Sequence, residues 1–210
     1  MQIVKLTEKT YKRIPVRAED ILKKGGAVIG PSDTVYGLYC DATNSEAVRK
    51  IFKIKKRAPE KALPIFVKDI ATARKLAYID DRKAKFLEKV WPGAATVVFY
   101  HKGKLPHVLT GGLETVALRI PDHPFLLELL NRLDFPLAQS SANISGRAPI
   151  RFPDSALALW KSEPLIDLVI DAGALGDQPS TVVDFTKDKP IMLRAGIITK
   201  KELDQALGRE

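Results

Sequence analysis

A single cysteine, Cys40, in 210 residues excludes an internal disulfide framework and a thiolate zinc cluster. The three histidines, His101, His107 and His123, show no ligand spacing, so no metal site is expected. No apolar run approaches the roughly 20 residues needed to cross a bilayer, and no membrane partner is expected. Lys5, Lys9, Lys12 and Arg13 are not followed by an apolar stretch or cleavage pattern. A secretory signal is therefore not expected, and the default compartment is the cytoplasm. The Walker-type glycine loop is missing, which excludes a P-loop enzyme. So is the Gly-x-Ser-x-Gly nucleophile elbow. Internal repeats, low-complexity segments and linkers rich in Gly, Pro or Ser are also absent, so residues 1–210 read as a single domain.

What the chain has in excess is positive charge. Lys and Arg number 34 against 25 acidic residues, a net +9 with a pI near 9.6. Such a surplus suits an anionic partner such as a nucleotide or RNA, or serves solubility alone. It is concentrated: Arg49, Lys50, Lys53, Lys55, Lys56 and Arg57 fall within nine residues that contain no acid. Without them, 28 basic residues face 25 acidic ones. Val48, Ile51, Phe52 and Lys55 follow the spacing of an amphipathic helix, capped by Asn44 or Ser45 and ended by Pro59. Complementing a helix dipole accounts for two or three such charges better than six.

Helical patterns are predicted over residues 18–24, 70–77, 81–90, 124–133, 155–160 and 199–207. Asp80 or Asp81 caps the third, and Thr199 with Glu202 fits a capping box for the last. Strands are predicted at 27–30, 63–67, 95–100, 116–120, 136–138, 165–170, 181–185 and 191–193. Strict β-α alternation fails in the second half, which argues for a mixed twisted α/β sheet over a purely parallel one.

Three stretches carry polar groups beyond what plain loops need. Residues 31–38, Pro-Ser-Asp-Thr-Val-Tyr-Gly-Leu, follow a strand end, where α/β proteins place ligands. An Asx-type turn explains them equally, with Gly37 allowing close approach of another segment. Residues 55–61 alternate lysine point charges with the arginine fork, which suits a polyphosphate. Residues 140–147, Ser-Ser-Ala-Asn-Ile-Ser-Gly-Arg, line a phosphate or hydroxyl pocket or form a simple turn-rich loop.

Taken in order, these segments resemble the YrdC-like family of threonylcarbamoyl-AMP synthases. The resemblance extends through Trp91-Pro92-Gly93, Leu118-Arg119-Ile120-Pro121-Asp122-His123-Pro124, Ser180-Thr181-Val182-Val183-Asp184 and Leu193-Arg194-Ala195-Gly196. It implies a twisted open mixed sheet curved around a basic cavity and flanked by helices. It also implies a nucleotidyltransferase that makes threonylcarbamoyl-AMP and pyrophosphate from L-threonine, bicarbonate and ATP, with Mg2+ carried by the ATP phosphates. The product would feed threonylcarbamoyladenosine formation in tRNA through a separate transferase assembly. By the same resemblance Lys55, Arg57, Lys61, Ser141, Asn143 and Arg194 would hold ATP. Lys55, Arg57, Ser141 and Asn143 would serve catalysis, and Thr34, Arg119, Gln139 and Ser180 would face threonine.

The chain departs from the family pattern at Ser32, Lys61-Ala62-Leu63, Phe66, Ala195 and Pro149-Ile150. Its length resembles the family's short single-domain form. The alternatives are a paralogue with another small-molecule substrate, or a protein that binds tRNA or double-stranded RNA in the same basic cavity.

Overall fold

A computed structural model describes residues 1–58, 60–151, 159–160 and 163–208. Its strands are β1 (Gln2–Lys5), β2 (Val28–Gly30), β3 (Gly37–Asp41), β4 (Ile65–Phe66), β5 (Ala95–Tyr100), β6 (Thr115–Arg119), β7 (Leu137–Ser141), β8 (Leu168–Asp171), β9 (Thr181–Asp184) and β10 (Ile191–Arg194). Its helices are α1 (Arg13–Lys23), α2 (Ser45–Lys55), α3 (Ile70–Leu76), α4 (Asp81–Val90), α5 (His107–Thr110), α6 (Pro124–Arg132) and α7 (Lys200–Ala206). The helix expected at 155–160 and the stop at Pro59 lie largely outside the described residues.

The strands form one open sheet in the order β1-β8-β2-β3-β7-β4-β6-β5-β9-β10. Pairings β1–β8, β2–β8, β4–β6 and β5–β9 are parallel and the others antiparallel, so the mixed sheet expected from the sequence is present. Strand alternation divides the apolar side chains between two faces. On one face Val28, Tyr39, Phe66, Leu137 and Leu168 pack against Ile14, Ala18 and Leu22 of α1 and Phe125, Leu126 and Leu129 of α6. On the other, Ile29, Leu38, Val97, Phe99 and Val183 pack against Ile51 and Phe52 of α2 and Phe86 and Leu87 of α4.

Register shows where the first face is left uncovered. Gln139 pairs with Tyr39 and Arg119 with Phe66, so both project on the α1/α6 side. Thr96 pairs with Val182, and both alternate away from Val97 and Val183 in the other core. The apolar contacts of α1 and α6 end at Tyr39 and Phe66. Polar side chains from β5, β6, β7 and β9 therefore share a face beyond the reach of these helices.

The helix carrying the basic run begins where Asn44 accepts hydrogen bonds from the backbone of Glu46 and Ala47, which selects Asn44 over Ser45 as the cap. It ends on Lys56 in the left-handed conformation at φ 49°, with Arg57 N donating to Phe52 O at 3.0 Å. A side chain there costs about 1 kcal/mol that glycine would not. Lys56→Gly is therefore expected to raise the unfolding free energy by about 1 kcal/mol, read as a higher urea midpoint at unchanged slope.

Candidate functional site

The uncovered part of the sheet holds a cavity of about 190 Å³. Arg57, Arg119 and Arg194 reach it, and among the described residues no carboxylate lines it. Opposite them stand Ser32 and Thr34 from the β2–β3 loop, Thr96 from β5, Gln139 and Ser141 from β7, and Ser180 at the start of β9. It is the basic cavity expected inside the sheet.

Each arginine is held before any ligand arrives. Arg57 donates Nε to Lys61 O and Nη2 to Ala62 O, both at 3.0 Å. Arg194 grips the Ser180 carbonyl through Nε (3.2 Å) and Nη2 (2.8 Å), and Nη2 also reaches Ser180 Oγ at 3.2 Å. A Cβ on Gly196 would lie 2.3 Å from Pro179 O, so glycine there lets the end of β10 close on Ser180. Burial lowers the pKa of both arginines, and Arg119 adds to the effect at Arg194. A guanidinium stays charged at any working pH, so the lowering reflects hydration lost by the cation and not a loss of charge.

Arg119 is different. It is 2% exposed, and its Nη2 donates to Asp33 Oδ2 at 2.6 Å. Nε donates to Gly93 O at 2.8 Å, Nη1 reaches Thr34 Oγ1 at 3.4 Å, and its carbon lies 5.6 Å from the Phe66 ring centroid. Burial lowers its pKa and Asp33 opposes that. Arg119 thus brings directed N–H groups to the cavity within a pair that is close to neutral. Trp91-Pro92-Gly93, prominent in the sequence, acts here through the Gly93 carbonyl.

The turn before β3 is closed by Ser32, not Asp33. Ser32 Oγ donates to Val35 O at 2.6 Å and accepts from Thr34 N at 3.1 Å. This corrects the Asx-type turn expected there, because the Asp33 carboxylate is drawn to Arg119 instead. Gly37 also serves a different neighbour from the one expected. A Cβ there would lie 2.4 Å from the ring of Tyr39, two residues along its own strand.

Of the residues expected to hold ATP, three are not brought to the cavity wall. Lys55 is 1% exposed, and its ammonium donates to Ser141 O, Asn143 O (2.8 Å) and Asn143 Oδ1 (2.9 Å). Burial, then the charge of Arg57, pulls it down to about 7. Asn143 Oδ1 also accepts from Ser141 Oγ at 2.6 Å, while its Nδ2 donates to Ile144 O and Arg147 O. All the polar groups of Asn143's side chain are thus spent internally. Lys55 and Asn143 form a strut behind the wall that fixes Ser141, which does line the cavity. Lys61 is exposed and meets Arg57 through its carbonyl.

Thr34, Arg119, Gln139 and Ser180, expected to face threonine, are gathered at the cavity. Sequence reasoning missed Thr96, whose Oγ1 lies 2.8 Å from Ser180 Oγ. The available signal is the one aliphatic hydroxyl, Thr96, within the largely apolar Ala95–Tyr100 run.

A family model named for Sua5, YciO and YrdC, with the description telomere recombination, matches residues 20–196. A Bacillus subtilis threonylcarbamoyl-AMP synthase is 37% identical over 196 residues, covering 91% of this chain and 56% of its own. The chain thus spans about half the length of that relative. A Methanocaldococcus jannaschii chain, provisionally named for the same activity, is 33% identical over 97% of this chain and 95% of its own. The crystal structure of Pyrococcus abyssi Sua5 complexed with L-threonine superposes with a TM-score of 0.91 at 31% identity, covering all of this chain and 62% of that one. On this evidence the chain belongs to the Sua5/YciO/YrdC family.

Proposed function

We propose that the cavity makes threonylcarbamoyl-adenylate and pyrophosphate from L-threonine, bicarbonate and ATP. The observation that carries this reading is three restrained guanidinium groups facing a wall of hydroxyl and amide groups, with no acid among the described lining residues. Support comes from the named activity of the B. subtilis relative and the threonine bound by the P. abyssi protein. A space of about 190 Å³ suits an amino-acid-sized molecule better than an RNA duplex.

The chemistry fits the residues. Threonine's neutral amine and bicarbonate give a carbamate, the amine proton and the bicarbonate hydroxyl leaving as water. A carbamate oxygen attacks the α-phosphorus of ATP, and pyrophosphate leaves with the bonding pair. Anion meets polyanion, so repulsion is a main part of the barrier. Arg57 and Arg194, held in place by backbone carbonyls, offset it without reorganising. Once the carbamate exists no protein base is obligatory. The Thr96–Ser180 hydroxyl pair and Gln139 suit the threonine side, where a hydroxyl-matched site rejects analogues lacking the group.

The residues present do not fit a magnesium ion held by the protein. Among the described residues no carboxylate lines the cavity, and no group of three His, Cys, Asp or Glu could hold a metal. Magnesium is then a companion of the ATP phosphates. The product would pass to a separate enzyme that transfers the threonylcarbamoyl group to adenosine in tRNA.

With ATP, bicarbonate and magnesium supplied, pyrophosphate release is expected only when threonine is added. Release without threonine, or none with it, rejects the proposal. Arg57→Ala is expected to lower kcat/KM by about 100-fold, the scale of losing one preorganised donor to a developing anion.

A further inference from the structure

A second concavity lies away from this cavity. A groove of about 460 Å³ runs between α4, the turn joining β9 to β10, and the end of α7. Strand β9 links the two sites: Val182 lines the cavity, while Phe185, about 10 Å further along the chain, lines the groove.

Phe86 and Phe185 form the groove's apolar base, with Pro190 and Leu207 beside them. Its rim is cationic. Arg82, Lys85 and Lys89 lie three and four residues apart on one face of α4, spanning about 10 Å. Lys189 contributes from the turn, and among the described residues Asp188 is the one acid in the lining. Arg82 is occupied with Asp188, donating to its carbonyl at 3.1 Å, and Lys89 donates to Ala206 O at 3.0 Å. Lys85 and Lys189 are exposed and enter no hydrogen bond or ion pair among the described residues.

The geometry disfavours a nucleobase. Phe86 meets the Phe185 ring edge-on at 5.4 Å, Phe99 stacks on it at 6.3 Å, and Arg82 and Lys83 lie 5.6 and 5.9 Å from its centroid. No open ring face remains for a base to stack on. A row of cations at helical spacing beside the half-buried Leu207 instead complements a peptide that carries carboxylates beside an apolar anchor. We infer that this groove docks an acidic, amphipathic segment of a partner protein. The inference does not depend on the activity proposed for the cavity.

The test uses the full chain and a fluorescein-labelled helical peptide of about 12 residues, with three Glu matched to the α4 row and Leu on the adjoining face. Saturable binding that weakens with salt is expected. The double variant Lys85→Glu/Lys189→Glu should weaken it about tenfold, and replacing the peptide's Glu with Gln should do the same. Both lysines are exposed, so melting temperature and pyrophosphate release should stay at the parent's values. Binding unchanged by the charge reversal, equal binding of the Gln peptide, or no saturable binding would each overturn the inference. So would an oligouridylate or pyrophosphate that displaces the peptide and binds more tightly than it does.

Discussion

Asp33→Ala is expected to lower the unfolding free energy by about 3–5 kcal/mol, the cost of stranding a buried charge. Arg119 is 2% exposed and the Asp33 side chain 12%, so water from the cavity replaces the missing carboxylate only in part. The guanidinium would keep Gly93 O and the Phe66 ring, both neutral partners. The pair itself is not optimised for stability. Asp33 Oδ1 is buried without a hydrogen-bond partner, and desolvating both ions offsets much of their attraction. The double variant Asp33→Ala/Arg119→Met is therefore expected to recover most of the lost stability while losing threonine-dependent pyrophosphate release. Urea unfolding of the four proteins in the cycle measures the coupling. A single variant within about 1 kcal/mol of the parent would show that Asp33 does not compensate Arg119. A double variant no more stable than the single would show that the pair belongs to the fold and not to the site.

Legibility in the sequence followed how local each signal was. Helix α4 and strand β5 lie where expected, at Asp81–Val90 and Ala95–Tyr100, because Asp80 caps the first and the second is a continuous apolar run. The sequence predicts a strand only over residues 136–138, because Ser140 and Ser141 read as turn formers, whereas β7 runs to Ser141. In the sheet they pair with Leu38 and Gly37, and that long-range pairing overrides local preference. Strand β3 was hidden for the same reason behind the turn that precedes it, and β1 is short and largely exposed. At the site, residue types were readable but direction was not. The six cations of residues 49–57 separate in the fold. Arg49 pairs with Glu46, Lys50 donates to Gly25 O, Lys55 turns inward, and Arg57 reaches the cavity. Thr96 joins the cavity because β5 pairs with β9 across more than 80 residues of chain, a contact no local pattern encodes.

Lys55→Met preserves much of the buried stem and removes the ammonium that ties Ser141 to Asn143. Ser141 O, Asn143 O and Asn143 Oδ1 all lose a donor; Ser141 O keeps Asn143 N at 3.0 Å and Asn143 Oδ1 keeps Ser141 Oγ, so Asn143 O is the acceptor left without a named partner. Leaving that buried acceptor unpaired is expected to cost about 2 kcal/mol. The size of that cost should depend on pH. Burial holds the native Lys55 at about 7, against an ordinary value of 10.5. Between those values the unfolded chain binds more protons at this residue than the native one, so its contribution to stability rises with pH and is lost as pH falls through about 7. Methionine has no such dependence. The stability gap between parent and variant is therefore expected to be wider at about pH 9 than at about pH 6, read from urea midpoints. An equal gap would mean that the three acceptors keep the ammonium charged throughout. With Ser141 no longer fixed at the cavity wall, kcat for pyrophosphate release should fall about 100-fold, the scale expected when a positioning contact is lost. The threonine KM should hold near the parent value, because Thr34, Thr96 and Ser180 are carried by other segments. A rise in KM without loss of kcat would place the role of Lys55 in threonine binding and not in holding Ser141.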